Sequence, residues 1–202
     1  MQLSPFTLRQ PGLMLLIGLA GSILPGVCQA SSGVNMNLTA NIVNNTCRLT
    51  VENGGEIYLP TVARGWFYNS DKSDRLSPTD DAAGTPFTIH VDNCFAGDGD
   101  DTSLSQLKFS FTPKAGFWSN HNQVFKNEAT VGAASNVGIV IFSDDFHTNV
   151  LNSDGSSKVI YDVSGSGDNY IKDYGFYARY QNTGIVSGGI VVSSVLVDVS
   201  YE

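Results

Sequence analysis

Positive charge is scarce in this chain: 11 lysines and arginines stand against 19 aspartates and glutamates over 202 residues, a formal net charge of −8. That balance argues against phosphate backbones and anionic lipid as partners, so nucleic acid is excluded from the partner list. Cysteine is scarcer still, at three residues. None stands in Cys-x-x-Cys spacing or beside a histidine cluster, which leaves a redox pair or a structural metal site without ligands. The three histidines, His90, His121 and His147, are scattered along the chain. Also missing are Gly-x-Ser-x-Gly, His-Glu-x-x-His, the phosphate-binding loop and the dinucleotide glycine pattern. No enzyme, no cofactor and no metal is therefore expected, and the acidic run Asp98-Gly99-Asp100-Asp101 reads as a solvated turn. Helical periodicity sustained over three turns is almost absent, and no apolar run reaches the roughly 20 residues of a membrane-spanning helix.

The longest apolar run lies at the start. Arg9 supplies a positive charge, Gly12 to Leu24 form a short apolar core, and Pro25-Gly26 breaks it before Cys28-x-Ala30, which is the layout of an export signal cleaved after Ala30. Residues 1–30 are accordingly expected to be removed. The segment takes with it one arginine and no acid, leaving 10 basic against 19 acidic residues and a net charge of −9. Cys28 leaves as well, and two cysteines remaining in an exported chain predict one disulfide, Cys47 to Cys94.

What the chain does have is alternation of period two, the mark of strands with one apolar face. Runs of this kind cover 34–43, 47–51, 56–62, 86–93, 106–112, 137–142, 157–163, 174–181 and 189–201, separated by Gly, Asn, Asp, Ser and Pro. Nine short strands in one domain predict an all-β, immunoglobulin-like sandwich. Residues 137–142 are continuously apolar, as suits a strand covered on both faces. Two long loops, 63–85 and 113–136, carry Trp66, Phe67, Tyr68 and Trp118. These aromatics are candidates for a surface contact or a sugar-binding patch, although folding back onto the sandwich is the commoner fate of such residues.

The two ends carry the clearest stripes: Val34, Met36, Leu38, Ala40 and Ile42 at the start, and Val195, Val197, Val199 and Tyr201 at the close. Each must be covered by something. Periodicity alone leaves the first stripe open between an ordinary strand of its own domain and a strand given to another molecule.

At this point the chain resembles the pilin subunits of chaperone-usher fimbriae. Asn41-Ile42-Val43-Asn44-Asn45-Thr46-Cys47 resembles the family's opening strand into its first cysteine, and Pro86 to Cys94 resembles the strand carrying the second. Ser135 to Ile141 is similar to the central segment. Tyr177-Ala178-Arg179-Tyr180, Gly189 fourteenth from the end and penultimate Tyr201 are similar to the terminal pattern. The resemblance implies an incomplete immunoglobulin-like β-sandwich, the pilin fold, completed by a donor strand from another subunit. It implies a donor-strand extension over 31–44, a pilin domain over 45–202, and a groove beside the C-terminal strand marked by Gly189, Val195, Val197, Val199 and Tyr201. The implied partners are neighbouring fimbrial subunits, a periplasmic chaperone, an outer-membrane usher, and a host glycan or protein receptor. The implied location is a fimbrium on the bacterial cell surface, reached through the periplasm, with a part in cell adhesion. A secreted carbohydrate-binding sandwich using the loop aromatics is the competing reading.

Overall fold

Each apolar alternation becomes a strand because only an extended chain puts every second side chain on one face. The computed structural model describes residues 47–77, 84–94, 105–118, 120–157, 159–164 and 170–201, with 34–40 and Asn93 described through their backbone. The signal segment, Ile42 and the acidic run near Asp98 lie outside the described residues. Twelve strands follow in order: β1 (Val34–Ala40), β2 (Cys47–Val51), β3 (Glu56–Leu59), β4 (Thr85–Cys94), β5 (Gln106–Pro113) and β6 (Phe117–Trp118). The second half holds β7 (His121–Phe125), β8 (Val137–Ser143), β9 (Thr148–Asn149), β10 (Val159–Asp162), β11 (Asp173–Asn182) and β12 (Ser193–Tyr201). No α-helix occurs among the described residues, only 3-10 turns at Glu52–Gly55 and Arg64–Phe67.

The strands form two sheets. One has the order β10-β5-β12-β1-β3; the other runs β2-β4-β11-β8-β7-β6, with β9 beside β8. Inner faces meet in a core whose alternation matches the sequence: Leu107, Phe109 and Phe111 of β5 and Val195, Val197 and Val199 of β12 face Phe87, Ile89 and Val91 of β4 and Tyr174 and Phe176 of β11. Aromatic rings fill its middle. Phe109 lies 4.8 Å from Tyr174, 5.4 Å from Tyr161 and 5.5 Å from Phe176, centroid to centroid, within the range of favourable ring pairs. Cys47 and Cys94 are bridged across the paired start of β2 and end of β4.

The loop over 113–136 differs from expectation: β6 and β7 form a small antiparallel hairpin, and Phe125 of β7 pairs with Ile139 of β8. Its apolar content is too short for a period to show, since only Val124 and Phe125 of β7 are buried. The hairpin explains why β8 is buried along its whole length. Trp118, Val124, Val140, Phe142 and Tyr177 make a second apolar cluster on the outer face of the sheet.

Residues 68–77 cover the same outer face further along. Arg179 of β11, 1% exposed, lies with its guanidinium 4.9 Å over the Phe142 ring and donates from Nη2 to the carbonyls of Arg75 at 3.2 Å and Ser77 at 2.9 Å. A buried guanidinium held this way ties the loop to β11.

Candidate functional site

The two terminal stripes meet. β1 lies between β12 and β3, so the segment expected to protrude is paired within the molecule's own sandwich. Along β12 it runs parallel, with Met36 opposite Ser193, Leu38 opposite Val195 and Ala40 opposite Val197. Along β3 it runs antiparallel, with Val34 opposite Leu59 and Met36 opposite Ile57. Residues opposite one another in a ladder share a face, so positions 34, 36, 38 and 40 fall on the face carrying Ile57, Leu59, Val195 and Val197, all nearly fully buried. The alternation at the two ends is thus one continuous inner surface.

The β1–β12 ladder is the only parallel ladder among the described strands. Chain connectivity accounts for it. Six residues, 41–46, separate Ala40 from Cys47, which the disulfide fixes in the opposite sheet. That link spans at most about 25 Å when fully extended. With its end tethered there, the arm covers its own groove in the direction the tether permits.

The groove walls are built by ordinary strand physics. β12 alternates buried Val195, Val197 and Val199 with half-buried Ser194, Leu196 and Asp198, and Tyr201 ends the strand opposite Leu107, packed against the core. Burial pushes the Asp198 carboxyl above its usual range, and its Oδ1 has no hydrogen-bond partner among the described residues. The sequence reading overlooked the opposite wall, Ile57 and Leu59 of β3. Their alternation was visible, but their neighbour was not.

At the head of β12 a cavity of about 130 Å³ opens between Val62, Phe67, Val137, Tyr180 and Val191. Burial in this apolar setting raises the Tyr180 hydroxyl to about 12. Gly189 forms the rim. Its φ of 155° favours glycine, and an added Cβ would stand 2.4 Å from the Ala134 nitrogen and 2.5 Å from the Ala133 carbonyl carbon. Backbone bonds from Ile190 N to Gly132 O at 2.7 Å and from Ala134 N to Ile190 O at 2.9 Å hold that wall in place. Gly189→Ala should therefore lower stability by about 2–4 kcal/mol, combining backbone strain with overpacking. Urea unfolding checks it; an unchanged midpoint would mean that residues 132–134 move aside freely.

Of the loop aromatics, Phe67 lines this cavity and Trp66 packs beside it. Trp66 meets Phe67 and Tyr180 edge-on at 5.2 and 5.9 Å, and the Arg75 guanidinium lies 5.4 Å from its ring. Tyr68 is half-buried against the core, and Trp118 packs on the outer cluster with its Nε1 buried and, among the described residues, unpartnered. Trp66 and Tyr68 thus pack on the main core, and Trp118 on the separate outer cluster. His90, on the outer face of β4, is flanked by Asp173 at 2.7 Å and Asp92 at 3.3 Å. Among the described residues no group of three or more His, Cys, Asp or Glu side chains is arranged to hold a metal ion, and no helix is long and apolar enough to cross a membrane.

Sequence comparison with known proteins gives the family. The family described as Fimbrial protein matches residues 36–202. The chain is also 38% identical over 183 residues to the uncharacterized fimbrial-like protein YadK of Escherichia coli (strain K12), an alignment taking in 87% of this chain and 88% of that protein. Such proteins are structural components of the cell-surface fimbrium that associate with other fimbrial subunits, and they are not known as enzymes. From the matched length, the bridged cysteines and the terminal stripes together, the chain belongs to the fimbrial protein family.

Proposed function

We propose that this chain is a structural subunit that polymerises by donor-strand exchange and contributes to bacterial adhesion through the fibre it builds. Residues 31–44 act as the donor, with Val34, Met36, Leu38, Ala40 and Ile42 as the inserted stripe. The groove beside Val195, Val197, Val199 and Tyr201 is the acceptor. After export through the periplasm, a chaperone occupies the groove until the usher brings a neighbouring arm. Tyr201, at the end of β12, is a contact for that chaperone.

The observation that carries this reading is the parallel placement of β1 in an otherwise antiparallel sandwich. Parallel pairing is slightly less stable per residue, and immunoglobulin-like sandwiches are antiparallel. An arm from a second molecule has no tether to Cys47 of the acceptor, so it can enter the same groove antiparallel. Self-filling then serves as a resting state from which exchange runs downhill. Because each subunit gives one strand and receives one, the contact is head-to-tail and does not close, which yields a fibre. Backbone bonds supply strength and alternate side chains supply specificity, as in other strand additions.

Leu38→Asp tests the proposal. Position 38 lies opposite Val195 on the inner face, so a carboxylate there would enter an apolar groove without a partner, a cost of several kcal/mol. Cells making only this variant should show no fibres by electron microscopy. The same variant should still accept a wild-type arm peptide covering residues 31–44, because its groove walls are intact. Fibres of normal length from the variant alone would refute the donor assignment.

A further inference from the structure

Asp198 is the only charged residue of β12. It is half-buried, and its Oδ1 is fully buried without a hydrogen-bond partner among the described residues. An ionised carboxylate kept from water with no donor is costly, so its placement calls for a partner that arrives in another state of the molecule. We propose that Asp198 is a positioning residue for the incoming arm, accepting a hydrogen bond from the amide or hydroxyl that an antiparallel donor sets beside it. The proposal rests on the donor-strand reading and adds to it the residue that selects the arm and its register.

In the self-filled molecule the ladder stops short of this residue. β1 ends at Ala40, opposite Val197, one place before Asp198. On the other side Ser110 of β5 stands opposite Asp198 and leaves Oδ1 unpartnered. Lys108, two residues before Ser110 on the same face, makes no ion pair with it among the described residues. Desolvation without compensation accordingly holds the carboxyl above its usual range. Access is not blocked by the fold, because the strand beside Asp198 is the one that exchange replaces.

A donor free of the tether to Cys47 can pair along the whole of β12. With Val34, Met36, Leu38, Ala40 and Ile42 turned inward, positions 35, 37, 39 and 41 lie on the outer face with Asp198, and they read Asn, Asn, Thr and Asn. Keeping the stripe in the groove allows only registers two residues apart. Whichever is adopted, a side chain with an N–H or O–H falls opposite Asp198. Asparagine is depleted in strands, yet it fills three of the nine places from 34 to 42. Those amides suit an arm with a carboxylate to meet. An arm of the same apolar stripe with leucine or aspartate at that place would leave Asp198 unpaired or repelled, so the residue discriminates between arms that the groove alone treats alike.

The test uses the chain from Ser31, with its own arm in place, and a fluorescent peptide of residues 31–44 whose binding is read at equilibrium by anisotropy. Asp198→Ala should weaken peptide binding by at least about tenfold, the loss of a hydrogen bond to a charged group. Without peptide the same variant should melt no lower than the parent, because it removes a desolvated carboxylate that has no partner in that state. A merely structural residue would lower both. Asp198→Asn keeps an acceptor oxygen and should recover part of the lost affinity. One of the peptide variants Asn35→Ala, Asn37→Ala, Thr39→Ala and Asn41→Ala should reproduce the loss against the parent and add nothing against Asp198→Ala. Equal binding by the parent and Asp198→Ala overturns the assignment and leaves strand exchange standing. Melting that falls in step with affinity, or a loss that no peptide variant reproduces, does the same. A parent that binds no peptide overturns both.

Discussion

A subunit lacking residues 31–44 should melt at least about 10 °C below the parent or precipitate, and a peptide of those residues should restore it. The reason is what the missing strand leaves bare. Val195, Val197 and Val199 are at most 1% exposed, and Ile57 and Leu59 at most 5%. Without β1 they line an open furrow, and the facing edges of β12 and β3 lose their ladder partners. Unpaired edges flanking apolar surface are a template for aggregation. The deleted segment carries four large apolar residues, Val34, Met36, Leu38 and Ile42, and burial of four such side chains is worth on the order of 6–12 kcal/mol before ordering costs. For a domain of this size each kcal/mol moves the midpoint by about 2–4 °C, so even half of the lower figure gives a large shift.

Orientation separates exchange from mere plugging. In the self-filled molecule, position 36 lies opposite Ser193 and position 40 opposite Val197. A free peptide, without the tether to Cys47, should reverse. A spin label at its N-terminus should then broaden the signal of Tyr201 rather than that of Ser193. If the peptide restores stability but binds parallel, the tether does not set the direction, and the downhill step from self-filling to exchange loses its basis. If no peptide restores stability, the groove is not an acceptor.

Much of this architecture was legible in the residues, and each miss has a physical cause. Each of the nine apolar runs holds a strand, and β2 begins and ends where its run does, at Cys47–Val51, whereas β3 stops at Leu59 and β12 starts only at Ser193. Periodicity reports which face of a strand is apolar. It says nothing about the partner, so the destination of residues 34–40 was open until the ladders with Ser193–Val197 and Glu56–Leu59 were seen. β6 and β9, at two residues each, are too short to show any period. The tie between β11 and the 68–77 segment was invisible for a different reason. Asn182 of β11 donates to Asp74, 108 residues away in sequence, and isolated amides follow no repeat. Trp66 and Trp118 stand out in a sequence because large rings are rare, and both pack back on apolar clusters.

Replacing Cys47 by Ser should cost about 4 kcal/mol, since the bridge closes a loop of 47 residues whose entropy in the unfolded chain would otherwise be regained. The folded state suffers as well. Cys47 and Cys94 are 1% and 2% exposed, and a serine hydroxyl at the first site would replace an apolar sulfur. β2 is the edge strand of its sheet, five residues long, paired only to β4 and with a register shift between Arg48 and Leu49. Without the bridge it should loosen first, read as faster amide exchange over 48–51 than over the central strand β11. The arm should feel the loss too, because the bridge fixes the point from which residues 34–40 depart. The urea midpoint, amide exchange and periplasmic yield should fall together. A midpoint within about 1 kcal/mol of the parent would mean that loop closure is not the source of stability. Unchanged exchange in β2 would mean that its ladder with β4 holds the edge unaided.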